Sequence, residues 1–158
     1  MSLFVRAEFQ EGERVVFSAR DRSIVNVRRA SADGGPLGFT SMELLMIAFG
    51  NCTLGTLMGQ DAMKEAEIGR VVADITGEMQ EEPPRIASLV ANIRVETTDP
   101  EALAAKLPEL EAAVCRCPSC NSLNADKQIR LSIAGPSLLG QPEAPAIEGN
   151  AIACALPA

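Results

Sequence analysis

The side chains in this sequence best suited to chemistry are its five cysteines, and the chain contains no histidine. Cys52 stands in a long apolar segment, whereas Cys115, Cys117 and Cys120 form a cluster later in the chain. Catalysis by a Cys–His or Ser–His pair is excluded, because the histidine that would act as general base is absent. A reactive thiol must therefore be activated by an arginine, a helix N-terminus, a carboxylate or a second thiol.

The C-x-C-x-x-C cluster leaves several kinds of chemistry open. Cys115, Cys117 and Cys120 could supply three thiolates and Cys52 a fourth, the number that a structural zinc site requires. Soft thiolates at this spacing could also hold copper(I). The additional thiols could instead provide a second disulfide exchange step, or fill space as small buried apolar groups. Cys154 lies far from any motif, so no role is expected for it.

Composition excludes several classes of function. Hydrophobic residues make up 47% of the chain and aromatic residues only 3%, with a net charge of −7. Few rings for base stacking and a negative charge argue against nucleic-acid binding. The longest apolar run, Leu44–Gly50, is far shorter than the ~20 residues of a membrane span, and the N-terminus lacks a signal-peptide core. We therefore expect a cytoplasmic protein, in which cysteines serve redox or metal chemistry rather than a disulfide framework.

The first half of the chain predicts strands followed by one dominant helix. Alternating apolar residues predict strands at 3–9, 14–18 and 23–28. Thr40-Ser41-Met42-Glu43 fits a capping box, and the apolar segment that follows predicts a buried core helix over residues 41–65. Gly50, Gly55 and Gly59 interrupt this helix, which indicates close packing against a neighbour.

The second half predicts a hairpin of strands at 69–80 and 85–97, then a helix over 100–114 that Pro108 kinks or splits. Residues 119–126 could add a further helical turn, and a last strand is expected at 128–133. Strands and helices fall in separate runs, which is typical of an α+β fold with mainly antiparallel pairing. We expect one domain over residues 1–134 and a loosely held Pro/Gly/Ala-rich tail over residues 135–158.

Three segments resemble a known family, and the resemblance as a whole covers roughly residues 3–133. Residues 41–53 (SMELLMIAFGNCT) are similar to the S-P-x-E-L-L-x-A-x-x-x-C-T motif of the OsmC/Ohr superfamily. That superfamily contains osmotically inducible proteins and organic hydroperoxide resistance proteins. Residues 117–123 (CPSCNSL) are similar to the motif around its second cysteine, and residues 11–14 (EGER) to its G-x-R turn.

The resemblance implies a fold and a reaction. The fold is an intertwined homodimer in which antiparallel sheets surround two central cysteine-bearing helices. The reaction is thiol-dependent reduction of organic hydroperoxides, with Cys52 as the peroxidatic thiol, Cys117 as the resolving thiol and Arg14 paired with the thiolate. A lipoyl or thioredoxin-like dithiol would regenerate the pair, and no metal or bound cofactor is required.

Glu43 has two interpretations. In the peroxidase branches of the family, a carboxylate ten residues before the first cysteine helps to hold the arginine, and Met42 occupies that place here. Glu43 is adjacent and could contact the arginine, but in an unbroken helix it would lie on the side opposite Cys52. Its place in the capping box is a sufficient structural reason for its presence.

Two other functions remain open alongside the peroxidase. One is a metal- or sulfur-handling protein that uses Cys115, Cys117 and Cys120. The other is a non-catalytic module that keeps an apolar pocket for a lipid-like ligand on the same fold.

Overall fold

The structure, a computed structural model, describes residues 3–28, 32, 34–35, 37–137 and 143–154. It confirms the α+β class: strands and helices occur in separate runs along the chain. The elements in these residues are β1 (Arg6–Gln10), β2 (Arg14–Ala19), β3 (Arg22–Val27), α1 (Ser41–Met58), α2 (Asp61–Glu65), β4 (Ile68–Gln80), β5 (Arg85–Thr97), α3 (Pro100–Ala104), α4 (Leu107–Val114), α5 (Pro118–Ser122), β6 (Asp126–Ala134) and β7 (Ala146–Ala153).

The chain divides into two compact units, Met1–Leu45 and Met46–Ala158. The first unit carries the three-stranded antiparallel sheet β1-β2-β3. Gly12 and Glu13 take positive φ angles of 73° and 57° in the turn between β1 and β2. Glycine adopts this conformation at little cost, so Gly12 suits a tight turn that sets the register of the following strand.

The second unit carries the four-stranded sheet β4-β5-β6-β7. The predicted hairpin is confirmed as β4 and β5, which pair antiparallel, but β5 pairs parallel with β6. Four of the five strand pairs among the described residues are antiparallel, which confirms the expectation of mainly antiparallel pairing. Parallel neighbours need a long crossover connection, which α3, α4 and α5 supply here. The core lies between this sheet and the crossover helices, where the largest buried side chains include Leu89, Ile93, Leu110, Val114, Ile129, Leu131 and Ile133.

α1 is shorter and more exposed than the sequence predicts. It ends at Met58, and α2 begins at Asp61 after a break at Gly59 and Gln60. Phe49 and Leu57 are fully buried, but Ile47 and Met58 remain 47% and 40% exposed, so the expectation of a buried helix is wrong for the single chain.

Glycine packing on α1 agrees with the prediction at one position. A side chain at Gly50 would come within 2.5 Å of the Ile75 side chain, whereas Gly55 has open space around it. Within the described ranges, α1 is the one helix long and apolar enough to cross a membrane by length and composition alone. Core helices also meet that criterion, so this observation is weak support for a membrane span.

The predicted helix over residues 100–114 is split, as its proline indicates. Asp99 caps α3 by accepting the amide of Ala102 at 3.0 Å. The helix ends at Ala104, and α4 begins at Leu107 with Pro108 in its first turn, where a missing amide costs nothing.

The C-terminal region differs most from expectation. Residues 146–153 form β7, which pairs antiparallel with β6, so the loosely held tail is wrong for this segment. A disulfide joins Cys115 to Cys154, with Cα atoms 5.1 Å apart, and corrects both the expectation of no structural disulfide and the absence of a role for Cys154. The tail residues 138–142 and 155–158 lie outside the described residues, and the boundary after residue 134 stays a prediction.

Candidate functional site

The structure brings Cys52 on α1 together with Cys117 at the start of α5. Both cysteines are free, and the Cys117 sulfur lies 3.6 Å from the hydroxyl of Thr53, the residue that follows Cys52. Cys52 is half-buried, whereas Cys117 is fully buried. A half-buried thiol backed by a buried one is an arrangement in which a small reagent meets one sulfur first and the second sulfur afterwards.

The start of α5 holds the Cys117 sulfur in place. Cys117 is the N-cap residue of α5, and its Sγ accepts the backbone N–H of Cys120 at 3.2 Å. The first amides of a helix have no partner within it, so they are free to bind sulfur. The Thr53 hydroxyl lies 3.6 Å from the same sulfur and donates to the carbonyl of Phe49 at 2.9 Å. The residue after Cys52 therefore helps to position Cys117.

Hydrogen bonds to the sulfur lower the pKa of Cys52. Burial is the largest single influence and raises the pKa, but the hydroxyl and backbone amide of Ser119, together with the Cys117 thiol, more than offset it. A hydrogen bond donated to a thiolate stabilises the charged form, so a larger fraction of Cys52 is ionised near neutral pH than in an ordinary cysteine. This is the electronic requirement for a nucleophilic thiol.

Ser119 is a site residue that the sequence analysis did not single out. Its hydroxyl also lies 3.5 Å from the Ala48 carbonyl on α1, so it bridges the two elements that carry the thiols. The available signal was its place in Cys117-Pro118-Ser119-Cys120, because a proline after a cap residue marks a helix start. Serine in the first turn of such a helix has both an amide and a hydroxyl to offer.

Cys120 is buried like Cys117, at 1% exposure, whereas Cys52 is only half-buried. Burial, and after it the negative charge on Cys117, raises the pKa of Cys120 to about 11. The buried ammonium of Lys127 opposes this effect, and it also donates to the carbonyls of Leu123 and Ala125 at 2.7 Å each. Cys120 is therefore a neutral thiol at physiological pH.

Arg14 and Glu43 belong to the first unit, and their predicted roles stay predictions. Arg14 is exposed on β2, where its Nε donates to the Glu11 carbonyl at 3.2 Å. Glu43 confirms the capping box: its carboxylate accepts the Thr40 amide at 2.6 Å, and its own amide donates to the Thr40 hydroxyl at 3.2 Å. The backbone hydrogen bond from Thr40, followed by the side-chain one, lowers the pKa of Glu43.

The alternative metal set of Cys115, Cys117 and Cys120 is not assembled. Cys115 is bonded to Cys154, so it has no thiolate to donate to a metal. In the part of the chain that the structure describes, no group of three or more Cys, Asp or Glu side chains could hold a metal ion. The cluster therefore divides into a disulfide at Cys115 and two free thiols near Cys52.

Removing the Ser119 hydroxyl tests the origin of the Cys52 acidity. We expect Ser119→Ala to raise the pKa of Cys52, because one donor to the thiolate is lost while the backbone amide remains. The pH profile of iodoacetamide alkylation, read by mass spectrometry of the Cys52 peptide, measures the shift. Ser122→Ala is the matched control, since that hydroxyl donates to the Pro118 carbonyl. Equal profiles for the two variants would contradict the assignment.

Residues 32–132 match the family described as OsmC-like protein. The fold is similar to that of an OsmC-like protein from Mycoplasma pneumoniae, with a TM-score of 0.66 and 15% identity over 85% of this chain and 97% of the other. A hypothetical protein from Aquifex aeolicus gives a TM-score of 0.68 at 14% identity, over 87% and 99% of the two chains.

The organic hydroperoxide resistance protein OhrB of Bacillus subtilis is also similar. It gives a TM-score of 0.53 at 18% identity, over 84% of this chain and 98% of its own. No curated protein matches this chain. Identities this low establish a shared fold, so the chemistry of this chain has to be argued from its own thiols.

Proposed function

This chain belongs to the OsmC-like protein family, and we propose on that basis that it is a thiol-dependent peroxidase acting on organic hydroperoxides. The observation that supports the proposal best is the pair of free thiols, Cys52 with a lowered pKa and Cys117 against it. Two-electron reduction of a peroxide that ends in a disulfide requires a reactive thiol and a second thiol near it. OhrB of Bacillus subtilis, an organic hydroperoxide resistance protein with a similar fold, points to the same substrate class.

The proposed reaction balances with these two residues. The Cys52 thiolate attacks one oxygen of the O–O bond, which breaks, and the leaving alkoxide takes a proton to become an alcohol. Cys52 is then a sulfenic acid. The Cys117 sulfur attacks the Cys52 sulfur, water leaves, and a disulfide forms. A dithiol reductant, of the lipoyl or thioredoxin type, returns both cysteines to thiols by exchange.

The contacts of Cys117 support its proposed role as the resolving thiol. Its sulfur lies 3.6 Å from the hydroxyl of Thr53, the residue that follows Cys52, so only a short approach of the two sulfurs would be needed to close the disulfide. The hydrogen bond from the Cys120 amide holds the Cys117 sulfur in place at the start of α5. Fast resolution also protects the sulfenic acid from further oxidation.

Arg14 and Glu43 complete the proposed site by resemblance to the family. The Arg14 guanidinium would pair with the Cys52 thiolate, and Glu43 would help to hold the arginine in addition to capping α1. The assay described below tests both through Arg14→Gln and Glu43→Gln. A rate that neither substitution changes would remove these two residues from the site.

We propose that the active form is a homodimer located in the cytoplasm. α1 leaves large apolar side chains such as Ile47 and Met58 partly exposed in the single chain, and a second copy would cover them. An apolar surface on the helix that carries Cys52 would suit the alkyl part of an organic hydroperoxide better than hydrogen peroxide. Light scattering at twice the mass of the chain tests the dimer, and a monomer at micromolar concentration would contradict it.

A turnover assay tests the proposed activity. With dihydrolipoamide or a thioredoxin system as reductant, we expect catalytic consumption of cumene hydroperoxide, with a kcat/KM at least about tenfold above that for hydrogen peroxide because the alkyl group is buried on binding. Residual peroxide is measured directly over time. No consumption of either peroxide with either reductant would overturn the proposal.

A further inference from the structure

Cys117 has a free thiol neighbour on each of two elements. Cys52 lies on α1 next to Thr53, whose hydroxyl is 3.6 Å from the Cys117 sulfur, and Cys120, one helical turn further along the chain, donates its backbone amide to that sulfur at 3.2 Å. The cysteines of Cys117-Pro118-Ser119-Cys120 form a C-x-x-C pair at a helix start, an arrangement typical of thiol–disulfide exchange sites. The proposed peroxide reaction uses Cys52 and Cys117 and leaves Cys120 without a function.

We propose that Cys120 is a second resolving thiol, which takes the disulfide over from Cys52 and leaves it as a Cys117–Cys120 bond. This inference rests on the proposed function for the origin of the Cys52–Cys117 disulfide. The Cys120 sulfur attacks the Cys117 sulfur, the Cys52–Cys117 bond breaks, and Cys52 leaves as a thiolate. The proton of Cys120 is released as the new bond forms, so the step is an exchange without net oxidation.

The geometry supports this transfer in two ways. The Cys120 backbone amide lies 3.2 Å from the Cys117 sulfur, so the two residues are already held against each other. Cys120 is 1% exposed and Cys117 is fully buried, so both sulfurs stay hidden from external thiols during the exchange. The transfer therefore returns the half-buried Cys52 to its reduced state and stores the oxidation inside the unit.

The leaving group favours the same direction. A thiolate leaves faster from a disulfide when its pKa is lower, and Ser119 and Cys117 lower the pKa of Cys52. Cys120, in contrast, is a weakly acidic thiol, so it is a poor leaving group once it is part of a disulfide. The transfer should be slow because Cys120 has to lose its proton in order to attack. The Cys52–Cys117 bond should therefore form first and decay later.

The charged groups that act on Cys120 set the pH dependence of the transfer. The titratable and charged groups that act on Cys120 are Cys117 at the start of α5, Cys52 on α1 and Lys127 on β6. Cys52 and Cys117 no longer titrate once they form the disulfide. The pKa of Cys120 is then raised by burial and lowered by the Lys127 ammonium. The transfer should consequently accelerate as pH rises from 7 to 9.

Trypsin makes the test direct, because cleavage at Arg and Lys places the cysteines on separable peptides. Cys52 falls in residues 30–64, Cys117 and Cys120 in residues 117–127, and Cys115 in residues 107–116. Protein whose free thiols are reduced is oxidised in two parallel arms, with diamide or with cumene hydroperoxide. Samples are quenched over time with acid and N-ethylmaleimide, digested and mapped by mass spectrometry.

In both arms we expect a cross-link between peptides 30–64 and 117–127 at early times. It should then be replaced by an internal two-unit mass loss in peptide 117–127, with Cys52 alkylated. Cys120→Ser should stop at the cross-link, and Cys52→Ser should form no bond in the peroxide arm. If the cross-link between these two peptides persists for hours at pH 9 in the wild-type protein, the proposal is overturned whatever the variants do.

The two arms separate the two claims. Diamide oxidises dithiols without peroxidase activity, so transfer in the diamide arm with a silent peroxide arm would keep the inference and overturn the proposed function. Peroxide-driven formation of a lasting Cys52–Cys117 bond would do the reverse.

Discussion

Cys52→Ser should abolish hydroperoxide consumption. Serine keeps the size and the hydrogen bonds of cysteine, but its hydroxyl is not ionised at neutral pH and does not attack the O–O bond. We expect the rate of cumene hydroperoxide reduction to fall by about 10³-fold or more, as is usual when a nucleophile is removed. The free energy of unfolding should change by about 1 kcal/mol or less, because Cys52 is only half-buried.

Asn51→Ser is the matched control for Cys52→Ser. It places the same residue at the exposed neighbouring position on α1 and should leave the rate within about twofold of wild type. Cys117→Ser forms the complementary variant: it should still react once with peroxide but stop at the sulfenic acid, which dimedone traps. Full turnover by Cys52→Ser would show that another thiol reacts with the peroxide.

Cys154→Ser should produce the largest loss of stability. The disulfide between Cys115 and Cys154 closes a loop with a sequence separation of 39, and loss of a bond of that span costs about 2–4 kcal/mol. For a chain of this length, the melting temperature should fall by about 6–12 °C. β7 should also exchange its amide hydrogens faster, because the disulfide anchors the residue that directly follows the strand.

Cys115→Ser and the double variant provide the control for this effect. Each single variant removes the same bond, so the double variant should lose little more stability than either alone. Treatment of the wild type with a strong dithiol should lower its melting temperature to that of Cys154→Ser. Equal melting temperatures for oxidised and reduced wild type would contradict a stabilising disulfide.

Local patterns were sufficient to predict those elements that local physics determines. The capping box at Thr40 and Glu43, the hairpin of β4 and β5, and the split at Pro108 depend on neighbouring residues, and all three are present. β7 was missed because its sequence, AIEGNAIA, is rich in alanine with one glycine and one asparagine, which are weak strand formers. Pairing with β6 and the disulfide hold it in place, and both are tertiary effects.

The candidate site was predictable only where local sequence motifs mark its residues. Cys52 and Cys117 stood out because cysteine is rare and their motifs resemble a family, and the structure places the Cys117 sulfur beside Thr53, the residue that follows Cys52. Ser119 was missed because a serine near a helix start is common, and its importance depends on where α1 passes. The Cys115–Cys154 bond could not be deduced, because five cysteines allow many pairings.

The most direct test of the central claim is a stoichiometric titration of reduced protein with one equivalent of cumene hydroperoxide. Free thiols are counted in denaturant, and cumyl alcohol is quantified by chromatography. We expect the loss of two thiols and the release of one alcohol per chain. One peroxide oxygen is released in the alcohol and the other in water while one disulfide forms. An unchanged thiol count with intact hydroperoxide would contradict the account.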